Sequence, residues 1–143
     1  MSESANDLGK GRVVITHDGE QHCTAVREPG GKRVAMDCPY TGKGEELSPT
    51  NMVEAALGGC MLISMGTLAM RSNLDISGAK IEVKVSMTDR PRLRFGNIHI
   101  AVKMPAGLSE RERMRLEAAA EHCPIKQSFD LDVAISTDYI YPD

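Results

Sequence analysis

The pattern of apolar and polar positions predicts a run of short strands in the first part of the chain. Apolar stretches at residues 13–15, 22–26 and 33–36 are separated by turn-forming residues at 18–19 and 29–31. Asp-Gly and Pro-Gly pairs between such stretches are typical of hairpin turns. We therefore expect a three-stranded antiparallel meander.

A long uncharged segment follows this meander. Ser48 and Pro49 are the residue types preferred at the N-cap and first position of a helix. Residues 55–70 contain no charged side chain, and a helix that is apolar on all sides must be buried in protein or lipid. The segment is shorter than the ~20 residues that span a bilayer. We predict a buried central helix and no membrane partner.

The second half of the chain returns to strands and adds an amphipathic helix. Apolar and polar residues alternate at 81–85 and 98–102, which predicts two strands with one solvated face. Ser109 and Glu112 have the spacing of a capping box, which predicts the start of a helix. Another apolar stretch at residues 131–135 predicts a closing strand.

The order of these elements predicts an α+β fold, with antiparallel sheets around the buried central helix. Residues 1–10 have the composition of a disordered tail, and residues 11–143 are expected to form a single domain. A helix that is apolar on all sides is difficult to bury in one domain of this size. An intimate homodimer that pairs two such helices would bury it.

Composition narrows the classes of function. The net charge of −3 and the five aromatic residues among 143 argue against a nucleic-acid partner. Four cysteines are too few for a disulfide-built secreted domain. The polar N-terminus does not resemble a signal peptide, so we expect a cytoplasmic protein whose thiols are reduced.

Cys60 and Cys123 are the candidate reactive groups. Cys123 directly precedes Pro124, where a new helix is predicted, and a helix N-terminus lowers the pKa of a thiol. On this argument alone Cys123 is the more acidic thiol, and Cys60 needs a nearby cation. The alternative is that both are small buried apolar residues, as free cysteines usually are. We expect Cys23 and Cys38 to be incidental to the chemistry.

A zinc site is a second alternative, because the pairs His22-Cys23 and His122-Cys123 supply a Cys₂His₂ set. Adjacent residues on a strand point to opposite faces, however, so His22 and Cys23 cannot readily share one ion. The chain also lacks a Cys-x-x-Cys motif. We therefore predict no metal.

Two motifs together resemble the OsmC/Ohr family. The run SPTNMVEAALGGC occupies residues 48–60, and Cys-Pro-Ile follows at 123–125, with the second cysteine 63 positions after the first. The resemblance extends from about residue 13 onward. It implies an OsmC-like fold, an intertwined homodimer with active sites at the subunit interface, and reduction of organic hydroperoxides.

The resemblance also assigns roles to the cysteines. Carried over by position, Cys60 is the peroxidatic thiol, which forms a sulfenic acid, and Cys123 is the resolving thiol, which closes a disulfide. This reverses the order that the helix dipole alone indicates. No bound cofactor is implied. The disulfide is reopened by an external dithiol reductant, a dihydrolipoyl group in some members.

One departure from the family concerns the start of the central helix. Peroxidases of the family carry a glutamate directly after the motif proline, where it orients an activating arginine. Here Thr50 and Asn51 occupy those places, and Glu54 lies one turn further along. Arg33 is our candidate for the arginine, with Lys32 as its neighbour. The missing glutamate favours an alternative, a small-ligand-binding or redox-sensing protein with weak or no peroxidase activity.

Overall fold

The computed structural model describes residues 11–142, so the tail predicted at residues 1–10 lies outside the described residues. The described chain forms two compact units, divided between Met52 and Val53. The single domain expected over residues 11–143 stays a prediction.

The first unit contains a three-stranded sheet in the order β1-β2-β3, with both pairings antiparallel. Its strands are β1 (Arg12–Gly19), β2 (His22–Glu28) and β3 (Arg33–Asp37). The predicted meander is confirmed, and the second turn falls at Pro29 and Gly30 as expected.

The first hairpin turn lies two residues beyond the predicted position. Glu20 and Gln21 form it, with φ angles of 53° and 60°, whereas residues 18–19 belong to the end of β1. The side chain of Asp18 explains the shift, because its Oδ2 accepts a hydrogen bond from Thr24 Oγ1 at 2.6 Å and lies 2.8 Å from His22 Nδ1. These contacts tie Asp18 to β2, and the chain reverses only after it.

The central helix α1 (Pro49–Arg71) begins where the sequence predicted. Ser48 Oγ accepts a hydrogen bond from the Asn51 backbone amide at 3.0 Å, and Asn51 Oδ1 accepts one from the Ser48 amide at 3.1 Å. This reciprocal pair satisfies two backbone donors that would otherwise lack partners at the helix start.

Within the described chain, α1 is buried along one face only. The buried residues begin with an adjacent pair and then recur every three or four positions: Leu57, Gly58, Met61, Met65 and Ala69. Ile63 and Met70 on the remaining surface are 72% and 85% exposed. By length and composition α1 could cross a membrane, and 28% of its most apolar 18-residue window is buried. The full burial expected from the uncharged sequence is therefore not provided by residues 11–142.

The second unit contains the other sheet and the two shorter helices. The sheet has the order β4-β5-β6, and α2 and α3 connect β5 to β6. The elements are β4 (Lys80–Thr88), β5 (Arg94–Lys103), α2 (Glu110–Glu121), α3 (Pro124–Gln127) and β6 (Ala134–Ile140). The capping box of α2 is confirmed, with Ser109 and Glu112 each accepting the other's backbone amide. The α+β class is confirmed.

The closing strand differs from its prediction in position and direction. It begins at Ala134, because Asp130 accepts the backbone amides of Asp132 and Val133, each at 3.0 Å, and holds residues 131–133 in a turn. Leu131 is 100% exposed there. The strand also pairs parallel to β5, not antiparallel. The connection through α2 and α3 returns the chain to the end of the sheet where β5 begins, which a parallel pairing requires.

The core of the second unit packs α1 and α2 with β5. Its fully buried large side chains are Leu57, Met61, Met65, Ile98, Ile100, Val102, Leu116 and Cys123. Gly58 allows the close approach of α1 to β4, since a Cβ at this position would lie 3.2 Å from the Cγ2 atoms of both Ile81 and Val83. This packing fixes the part of α1 that carries Cys60.

Candidate redox site

Cys60 lies in the middle of α1, two residues after Gly58. Its side chain is half-buried and packs against the core of the second unit. Gly59 precedes it, and a Cβ there would meet no atom within 4 Å. The described chain therefore surrounds the Cys60 thiol only in part.

Cys123 lies at the N-cap of α3, directly after the end of α2. It is fully buried. Its backbone amide donates to the Ala120 carbonyl at 3.2 Å, and its carbonyl accepts from the Gln127 amide at 3.0 Å. Pro124 occupies the first position of α3. The end of the helix predicted before this proline is therefore confirmed, and Cys123 lies in the turn between α2 and α3.

The structure places the two candidate thiols close together, because the Cys60 side chain packs against the buried cluster that contains Cys123 and is near enough to affect the pKa of that thiol. Burial raises the pKa of the Cys123 thiol above its ordinary value, and the neighbouring Cys60 side chain raises it further. The backbone amides of Lys126 and Ile125 lower it, with smaller effect. The expectation that the helix dipole lowers the pKa of the Cys123 thiol is therefore wrong. A four-residue helix contributes less than removal of the thiolate from water costs.

Polar side chains that sequence reasoning did not select surround the Cys123 turn. Lys126 in α3 contacts the Glu121 carboxylate at the end of α2. Tyr139 Oη donates to Glu121 Oε1 at 2.8 Å. Burial raises the pKa of Glu121, but the hydrogen bonds from Lys126 and Tyr139 outweigh it and hold that pKa below its usual range. The five-residue spacing of Glu121 and Lys126 is not a helical one, so the sequence carried no signal for this pair.

Arg33, the candidate activating cation, lies at the start of β3 in the first unit. It is exposed and pairs in register with Val26 of β2. Cys60 belongs to the second unit. The assignment of Arg33 to the thiol site stays a prediction.

At the start of α1, other residues occupy the places where the family resemblance predicts a glutamate. The first turn of this helix, which is fully described, carries no acidic residue. Thr50 occupies the position after the motif proline, and Asn51 is used in the helix cap. Glu54 Oε1 accepts the Val85 backbone amide at 3.0 Å, which ties α1 to β4.

The remaining two cysteines lie in the first unit. Cys23 pairs with His17 on one side and Met36 on the other. Cys38 follows β3, and its Sγ accepts the Thr41 amide at 3.4 Å. Hydrogen bonds from Thr41, together with the amides of Tyr40 and Gly42, lower the pKa of the Cys38 thiol.

The histidines considered as zinc ligands are bonded elsewhere in the structure. His22 Nδ1 contacts Asp18, and His122 Nδ1 lies 2.7 Å from the Ala118 carbonyl oxygen. Among residues 11–142, no three side chains of histidine, cysteine, aspartate or glutamate are grouped so that they could hold a metal ion.

The α+β fold thus carries two neighbouring thiols, one in the long central helix and the other directly before a proline. The family model for OsmC-like proteins matches residues 42–138. The chain belongs to the OsmC-like protein family. Comparison with curated proteins gives no sequence match.

Solved structures with the same fold support this placement. A candidate osmotic stress induced and detoxification response protein from Psychrobacter arcticus is 26% identical, with a TM-score of 0.82 over 90% of this chain and 94% of its own. An OsmC-like protein from Mycoplasma pneumoniae is 14% identical, with a TM-score of 0.80 over 92% and 96%. The organic hydroperoxide resistance protein OhrB of Bacillus subtilis is 18% identical, with a TM-score of 0.67 over 91% and 97%.

Proposed function

We propose that this protein is a cysteine-based, thiol-dependent peroxidase that reduces organic hydroperoxides, lipid hydroperoxides among them. The observation that carries the proposal is the closeness of the two thiols, since Cys60 packs against the buried cluster that contains Cys123 and affects the pKa of Cys123. Two thiols on neighbouring, packed segments can form a disulfide if their backbones lie within disulfide range. Proteins of similar structure support a role with hydroperoxides, since OhrB of Bacillus subtilis and an OsmC protein of Legionella pneumophila are organic hydroperoxide resistance proteins.

In the first step the Cys60 thiolate attacks one oxygen of the hydroperoxide and breaks the O–O bond. The products are a Cys60 sulfenic acid and, after protonation, the alcohol. In the second step Cys123 attacks the sulfenic sulfur, which forms the Cys60–Cys123 disulfide and releases water. An external dithiol, such as a dihydrolipoyl group, then reduces the disulfide and is itself oxidised.

The surroundings of the two thiols support this order of attack. Cys60 is half-buried whereas Cys123 is fully buried, so Cys60 is the more accessible of the two thiols within the described chain. The raised pKa of Cys123 keeps it protonated at neutral pH, so it does not compete for the hydroperoxide. We assign to Arg33 the stabilisation of the Cys60 thiolate, on the family resemblance.

The proposal predicts that one equivalent of cumene hydroperoxide converts the reduced protein to a form with a single Cys60–Cys123 disulfide. Mass spectrometry of peptides from alkylated, non-reduced protein measures this product directly. Dithiothreitol should restore both free thiols. Oxidation that leaves Cys60 and Cys123 unlinked, or that joins other cysteines, contradicts the mechanism.

A second function, binding or redox sensing without efficient turnover, is favoured by the start of α1. Thr50 stands where the family glutamate is expected, Asn51 caps the helix, and Glu54 bonds to Val85. A sensor would form the disulfide once per oxidation and pass the signal on. Steady-state consumption of hydroperoxide with excess dithiol distinguishes the two, because only a peroxidase turns over many times.

We propose in addition that the protein is a homodimer that covers the open surface of α1. Ile63 and Met70 are large apolar side chains left exposed on that helix, and pairing of two such helices would remove them from water. Replacement of Ile63 with glutamate should convert the dimer to monomer in sedimentation experiments. Met114→Glu, at an exposed position of α2, should leave the dimer intact. A wild-type monomer at micromolar concentration would refute the dimer.

The cytoplasmic location, the absence of a bound cofactor or metal and the absence of nucleic-acid and membrane partners stay predictions of the sequence. We propose them together with the peroxidase function.

A further inference from the structure

A group of polar side chains encloses the turn that carries Cys123. The Lys126 side chain is 11% exposed, contacts the Glu121 carboxylate, and donates to Thr137 Oγ1 at 3.1 Å. Tyr139 Oη donates to Glu121 Oε1 at 2.8 Å. We call these four residues, Glu121, Lys126, Thr137 and Tyr139, the clamp.

The clamp joins three elements at the point where Cys123 lies. Glu121 ends α2, Lys126 belongs to α3, and Thr137 and Tyr139 belong to β6. The backbone is held in the same place, since Gln127 Nε2 donates to the Glu121 carbonyl oxygen at 2.7 Å. Cys123 lies between Glu121 and Lys126 in sequence, so both ends of its turn are tied to the sheet.

The contacts indicate that the clamp acts by position and not by charge. The Lys126 ammonium group is paired with the Glu121 carboxylate, so the pair adds little net field at the thiol. The largest effect on the pKa of Cys123 is burial, followed by the neighbouring Cys60 side chain. What the clamp fixes is the place of the Cys123 backbone relative to α2 and β6.

We infer that Lys126, Glu121 and Tyr139 are positioning residues that hold Cys123 for attack on the Cys60 sulfenic acid. This inference rests on the proposed peroxidase function. In the step concerned, the Cys123 sulfur forms a bond to the Cys60 sulfur, the S–O bond of the sulfenic acid breaks, and water leaves. A competing step consumes a second hydroperoxide and oxidises the sulfenic acid to a sulfinic acid, with release of the alcohol. Misplacement of an attacking group by about 1 Å can cost up to about a hundredfold in rate.

The test measures the two steps separately in the full-length protein. After rapid mixing with cumene hydroperoxide, dimedone trapping gives the rate of sulfenic acid formation. Mass spectrometry at timed quenches gives the rate of disulfide closure and the fraction of Cys60 sulfinic acid. Lys126→Met should leave the first rate within about twofold of the wild-type value and slow closure at least about tenfold, with more sulfinic acid.

Three further variants complete the design. Lys126→Arg keeps donors for Glu121 and Thr137 and should restore rapid closure. Tyr139→Phe removes one hydrogen bond to Glu121 and should slow closure less than Lys126→Met does; it carries the test if Lys126→Met does not fold. Lys103→Met is the matched control, because Lys103 forms a 2.8 Å pair with Glu82 on the exposed face of the sheet, and it should close at the wild-type rate.

The outcomes separate the inference from the proposed function. A wild-type protein that forms no Cys60–Cys123 disulfide refutes the proposed function itself. A wild-type protein that closes normally, with folded Lys126→Met and Tyr139→Phe variants that close equally fast, overturns only the clamp. Slow closure in Lys126→Arg as well as in Lys126→Met also overturns it. The hydrogen bonds from residue 126 to Glu121 and Thr137 would then not account for rapid closure.

Discussion

Replacement of Cys60 with serine is expected to abolish hydroperoxide reduction, with a loss of at least about a thousandfold in the steady-state rate with dithiol. A serine hydroxyl stays protonated at neutral pH and has no sulfur to carry the sulfenic acid. The loss should appear in kcat and in kcat/KM alike, because the nucleophile acts in the chemical step. The measurement is consumption of cumene hydroperoxide with excess dihydrolipoamide.

Cys23→Ser is the control for this experiment, because Cys23 is another partly buried free cysteine and lies on β2 of the first unit. It should keep the wild-type rate within about twofold. Retention of a tenth or more of the activity in Cys60→Ser would show that another thiol reduces the peroxide. Cys38, whose pKa its own loop lowers, would then be the first to replace.

Cys123→Ser is a complementary variant, and its expected behaviour is different. It should still form a sulfenic acid at Cys60, which dimedone captures, but it should not form the internal disulfide. Loss of turnover together with retained dimedone labelling separates the resolving role from the peroxidatic one. The pair of variants thereby tests the order of attack that burial and exposure of the two thiols support.

Local chemistry at the helix starts was predictable from the sequence. Ser48 before Pro49, and Ser109 followed by Glu112, gave the correct starts of α1 and α2, because a cap depends only on residues within one turn. The strands at residues 81–85 and 98–102 were also predicted correctly, because alternating apolar and polar residues indicate a strand with one face covered and one face exposed.

The failures concern interactions between residues that are distant in sequence. The first hairpin moved because Asp18 bonds across to Thr24, and β6 runs parallel to β5 because two helices intervene. The acidity of Cys123 was misjudged for the same reason. Its position before a helix is a local feature, but its burial comes from side chains of several elements.

The same distinction between local and long-range features applies to the candidate site. The motif around residues 48–60 and the later Cys-Pro pair pointed to two thiols that the fold places close together. Nothing local marked the contact between Glu121 and Tyr139, which joins α2 to β6. Arg33 also depends on long-range placement, and its assignment still rests on the family resemblance.

Replacement of Leu116 with alanine should lower the free energy of unfolding by about 2–5 kcal/mol, the usual cost of removing a fully buried leucine. Leu116 is 0% exposed and shares the inner face of α2 with Ala120, three residues before Cys123. A folded domain is stable by only about 5–15 kcal/mol in total, so the variant should unfold at a visibly lower urea concentration.

Met114→Ala provides the matched control for this measurement. Met114 lies on the same helix but is 64% exposed, so its loss should cost no more than about 0.5 kcal/mol. Alanine replaces a good helix former in both variants, so the difference between them reports burial and not helix propensity. Both proteins should be unfolded at one protein concentration and under reducing conditions, because dimerisation and disulfide formation each add stability. Equal losses in the two variants would contradict the packing of α2 on β5, which places Cys123 beside Cys60.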